Sequence, residues 1–72
     1  MKLTSTVSSC GAGVDCPTVH ATDRGTVVVQ GYLVDDPEAL GSLRLPDGEG
    51  AVEIPVSLLL ASAAHLAARP IR

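Results

Sequence analysis

Seventy-two residues make one small domain with no room for a second core, and a chain of this size hides only about 60% of the surface its unfolded form exposes. Its 46% apolar content comes from Val, Leu and Ala; Tyr32 is the sole aromatic, so the core is expected to be thin and to gain from a staple or a partner chain. The net charge of −3, with Lys2, Arg24, Arg44, Arg69 and Arg72 scattered, supplies no basic stripe and argues against direct nucleic-acid binding.

Met1-Lys2-Leu3 leads into Thr4-Ser5-Thr6-Val7-Ser8-Ser9, which is too polar for the apolar core of a secretory signal. The longest apolar run, Leu58 to Ala68, contains Ser62 and His65 and falls short of the ~20 residues of a membrane span. A cytoplasmic protein without a membrane partner is expected.

Residues 1–14 are rich in Ser, Thr and Gly, with Gly11-Ala12-Gly13 as a joint; they read as a flexible segment or an added edge strand ahead of a single domain over 15–72. Pro17 to Thr22 and Thr26 to Val34 flank Asp23-Arg24-Gly25 and together read as a β-hairpin. In the second run Val27, Val29, Gly31 and Leu33 share one face, expected to point inward, and Gly31 marks a bulge or a close approach of another element. Asp36-Pro37-Glu38 has the form of a helix start: Asp at the cap, Pro at the first position and Glu in the first turn, with Gly41 limiting it to one turn. Leu43-Arg44-Leu45 is either a short strand or a pinned loop, Pro46 to Gly50 is a turn, and Ala51 to Ile54 is a third strand.

The closing element is a helix from Pro55 or Ser57 to Ala68, with Arg69 suited to its C-terminal end and Pro70 beyond it. Leu59, Leu60, Ala63, Leu66 and Ala67 form an apolar stripe expected to pack on the sheet. Leu58 and Ala61 lie off that stripe, so a second helix face, bounded by His65, is left for a partner. The fold expected is α+β: a small three-stranded, mainly antiparallel sheet with the C-terminal helix packed on one face.

Reactive chemistry is sparse. Cys10, Cys16 and His20 form a C-x5-C-x3-H arrangement; zinc sites usually pair cysteines at closer spacing, and a fourth ligand has to come from His65 or Asp15. A disulfide between Cys10 and Cys16 fits the glycines between them, but reduced thiols are the ordinary state in a cytoplasmic protein, and two free cysteines are expected. Cys16 as a nucleophile lacks a base, since His20 on a strand sits ~13 Å further along. Asp36 is taken up as a cap, Asp35 and Glu38 are solvated, and Asp47-Gly48-Glu49-Gly50 lacks the ligand series of a calcium loop. No catalytic residue, metal or cofactor is assigned.

CPTVHATDRGTVVVQGYLVDD and the later AVEIPVSLL resemble a group of very small actinobacterial proteins that are often encoded beside helix-turn-helix regulators. More distantly, Ser8, Ser9, Gly11, Gly13 and Cys16 match in order the opening of the BldB and WhiJ-associated family, and Val52-Glu53-Ile54-Pro55 leading into Leu58-Leu59-Leu60 matches its strand-to-helix ending. That family carries a Trp near its start, usually an aromatic in the last helix, and an Arg-Asp pair where this chain has Gln30-Gly31. The resemblance implies a small regulatory accessory protein, antitoxin-like or a modulator of a DNA-binding partner, with no catalytic residues. With the thin core favouring a dimer or a complex, the expectation is a non-enzymatic protein that binds a helix-turn-helix regulator and forms a homodimer. The contacts expected are Arg24 and Tyr32 on the hairpin and Leu58, Ala61 and His65 on the helix. The alternative is a metal- or redox-responsive module using Cys10, Cys16 and His20.

Overall fold

The computed structural model describes residues 1–10 and 16–68. The β-branched run on either side of Asp23-Arg24-Gly25 forms the expected hairpin: β2 (Thr18–Thr22) pairs antiparallel with β3 (Val27–Gln30), with His20 opposite Val28 and Val19 opposite Val29. Thr22 shapes the turn. Its hydroxyl meets that of Thr26 at 2.7 Å and accepts from the Arg24 amide at 3.1 Å. Gly25 at φ 75° supplies the left-handed position the turn requires.

The third strand of this sheet comes from the N-terminal segment. β1 (Leu3–Ser8) pairs antiparallel with β2, giving the order β1-β2-β3, and a register shift between Leu3 and Ser5 marks a bulge. Of the two readings of residues 1–14, Leu3–Ser8 takes the edge strand; the Gly11-Ala12-Gly13 joint lies outside the described residues. Thr6 and Val7 supply β-branched residues, and Thr6 Oγ1 lies 3.0 Å from His20 Nδ1 across the pair.

At Gly31 the chain leaves the sheet. β4 (Tyr32–Leu33) pairs with β5 (Val52–Glu53) in a separate two-stranded ribbon, so Ala51 to Ile54 provides a strand, but not one of the main sheet. Glycine is required at the break: a Cβ on Gly31 meets the Glu53 carbonyl oxygen and Ile54 Cγ2, each at 2.7 Å. This is the close approach expected of it. Between these strands α1 (Pro37–Gly41) makes its single turn, with Asp36 Oδ2 accepting from the Ala39 amide at 2.9 Å. Leu43-Arg44-Leu45 is loop, and Pro46–Gly50 turns with Gly48 at φ 91°.

α2 (Val56–Ala67) packs across β1 and β2 and completes the α+β fold. Its phase differs from the sequence reading. Leu58 and Ser62 are buried and Leu66 is half-buried, while Leu59 and Leu60 are exposed. Leu58, at 2% exposure, is therefore core and not a partner contact. The polar Ser62 can occupy the buried face because its hydroxyl donates to the Leu58 carbonyl one turn back at 2.7 Å. Arg69 and Pro70, expected to close the helix, lie outside the described residues. Among the described residues Leu58 and Val19 form the buried aliphatic core, with Pro17 buried beside the start of β2.

Candidate functional site

The backbone pattern of the sheet decides what it offers to a partner. Ser9 N bonds to Pro17 O and Thr22 N to Thr26 O. By the alternation of antiparallel ladders, odd-numbered β2 residues then bond to β1 and even-numbered ones to β3. On β3, Val28 and Gln30 face β2, and the amides and carbonyls of Val27 and Val29 point away from the sheet. Side chains alternate as well. Ser5, Val7, Val19, Ala21, Val27 and Val29 share one face, and Ser5 Oγ lies 2.8 Å from Nε2 of His65 on α2, so this is the face the helix covers. The cover stops at β2. Val27 and Val29, the residues expected inside, remain 47% and 37% exposed because α2 lies over the other two strands.

The outer surface of α2 is equally bare. Val56, Leu59, Leu60, Ala61, Ala63, Ala64 and Ala67 are exposed on a helix that carries no charged residue. The partner-facing residues expected from sequence are thus divided. Ala61 is exposed as expected; His65 is exposed and held by Ser5; Leu58 is inside. Arg24 sits exposed at the hairpin tip, and Tyr32 stands out where β4 begins. The packing of α2 is on β1 and β2, whereas Arg24 lies at the hairpin tip and Tyr32 on β4. Val27, Val29, Leu59 and Leu60, read as inward, stand at the surface, and Val28, on the face read as outward, was not singled out. The signal that marks them is the absence of any charge through either segment.

Cys10 and Cys16 are joined in a disulfide, with their Cα atoms 6.1 Å apart, in place of the two free thiols expected. The pairing of β1 with β2 explains it: the Ser9–Pro17 hydrogen bond closes the ladder next to both cysteines and holds their backbones within bridging distance. In this form neither sulfur is free to ligate a metal, and His20 is engaged with Thr6. Among the described residues no group of three or more His, Cys, Asp or Glu is placed to hold an ion. Cys16, Pro17, Gln30, Gly31 and Tyr32 line a shallow recess of about 230 Å³ beside the disulfide.

No helix among the described residues is long and apolar enough to cross a membrane. Compared with protein families, with curated proteins and with solved structures, the chain finds no match in any of the three.

Proposed function

We propose that this chain is a non-enzymatic regulatory protein that works by binding another protein, and that its partner is a helix-turn-helix transcriptional regulator. One observation carries the binding role: among the described residues the buried aliphatic core is Val19 and Leu58, while Leu59, Leu60 and Val56 stand on a charge-free helix surface. A contiguous apolar surface of this kind marks an interaction site. The resemblance in CPTVHATDRGTVVVQGYLVDD directs the choice of regulator. Arg24, Tyr32 and Ala61 extend the contact, and with a net charge of −3 the chain reaches DNA only through its partner. The test is co-elution of the purified chain with a purified helix-turn-helix transcriptional regulator from the same organism. Leu60→Asp is expected to abolish co-elution while leaving the circular-dichroism melt of the chain unchanged. Wild-type co-elution by Leu60→Asp rules the α2 surface out.

A second reading rests on the Cys10–Cys16 disulfide and the recess beside it: a redox-responsive module in which reduction loosens the β1–β2 connection. Titrating regulator binding with and without dithiothreitol separates the two. A tenfold change in affinity supports the redox module, and indifference removes it. Zinc added to the reduced chain tests whether the freed thiols and His20 take a metal.

A further inference from the structure

β1 and β3 are both edges of the main sheet, but they are protected to different degrees. β1 is polar, with Thr4, Thr6 and Ser8 alternating along it, and it is bulged between Leu3 and Ser5; these are devices that discourage strand addition. β3 reads Val-Val-Val-Gln, has no charge, proline or bulge, and directs the backbone groups of Val27 and Val29 outward. We propose that a second copy of this chain adds at this edge, β3 against β3, antiparallel about a two-fold axis at Val28. The inference rests on reading the chain as an interaction protein and assigns one of its surfaces.

Three features select a second copy as the occupant. The first is register. With the axis at Val28, Val27 falls opposite Val29 of the second copy and Val29 opposite its Val27. The residues with outward backbone groups thereby meet each other and form about four inter-chain hydrogen bonds. The second is the side-chain match. On the α2 face the cross-sheet row Val7-Val19-Val29 continues into Val27 and Ala21 of the second copy, and on the other face Val28 meets Val28. No charge is buried on either side. The third is area. The accessible surface of 5630 Å² exceeds by about a third the ~4,200 Å² expected of a folded monomer of 7.3 kDa. That surplus is spread over the molecule, and Val27, Val28 and Val29, exposed at 47%, 36% and 37%, are the apolar part of it that lies on this edge. α2 lies over β1 and β2, away from this edge.

The experiment uses the full chain in its disulfide form. Sedimentation equilibrium at micromolar concentration is expected to give twice 7.3 kDa for the wild type. Val28→Lys, which sets two ammonium groups opposite each other at an already 36% exposed position, is expected to give a folded monomer. Register is read by cross-linking. Under diamide, Val28→Cys is expected to form a covalent dimer, because the residue faces itself across the axis, and Val27→Cys is not, because it faces Val29. A monomeric wild type, or cross-linking of Val27→Cys as fast as Val28→Cys, overturns the proposal. Its failure is distinct from failure of the regulator reading: a monomer that still co-elutes with the regulator sinks only the β3 seam, and a dimer that does not co-elute sinks only the regulator.

Discussion

At the scale of single residues, a few side chains and one missing side chain hold the fold. Gly31 is the sharpest case, because the Glu53 carbonyl and Ile54 occupy the space of any Cβ there. Gly31→Ala is expected to destabilise by about 1–3 kcal/mol, read as a lower urea midpoint, while Gly41→Ala and Gly50→Ala meet open space and leave packing untouched. Leu58 carries the core from the helix side. Leu58→Ala is expected to cost about 2–5 kcal/mol and Leu60→Ala less than about 0.5, a contrast that a pair of thermal melts checks. Equal effects contradict the helix phase. Thr22 holds the hairpin turn through bonds to Thr26 and to the Arg24 amide, and Thr22→Val is expected to cost about 1–2 kcal/mol.

At the scale of elements, the two helices are stabilised by different means. α1 buries no residue and rests on its Asp36 cap and the Pro37 start. Asp36→Ala is expected to speed amide exchange at Ala39 and Leu40 with little change in the global melt, since the helix opens locally. A matching drop in the global midpoint counts against this. α2 lacks a side-chain cap and is held by Leu58, Ser62 and the His65–Ser5 bond against β1 and β2. The same packing fixes its phase. A stripe chosen by apolar bulk alone gives Leu59 and Leu60 the inward place, but Ser5 presents a hydroxyl to the helix, and His65 answers it. In this phase Leu58 and Ser62 are buried and Leu66 is half-buried.

At the scale of the molecule, the chain spreads more than its length requires. Its Cα radius of gyration is 13.5 Å against the ~11 Å expected for 72 residues, and the segment from Tyr32 to Glu53 forms its own ribbon, with Leu33, Leu40, Leu43 and Leu45 exposed. So little burial makes the Cys10–Cys16 cross-link a large share of stability. Closing a loop of this size contributes about 2 kcal/mol in the chain-entropy account, and reduction is expected to lower the melting temperature by ten degrees or more. Calorimetry with and without dithiothreitol checks this; an unchanged midpoint refutes it.

Local chemistry was sufficient to determine from sequence the hairpin around Asp23-Arg24-Gly25, the capped turn at Asp36-Pro37, the Pro46–Gly50 turn and a C-terminal helix. Each depends on φ preferences, β-branching or a cap within a few residues. The α+β class followed from their order. Tertiary structure alone decided three things: that Leu3–Ser8, and not Ala51–Ile54, completes the main sheet; that Cys10 and Cys16 meet; and that Leu58 turns inward while Leu60 turns out. All three depend on pairing between segments distant in the chain. A polar strand gains its partner from the ladder it completes, and a helix that is apolar all round carries no phase of its own until a particular sheet, here with Ser5 on its face, selects one.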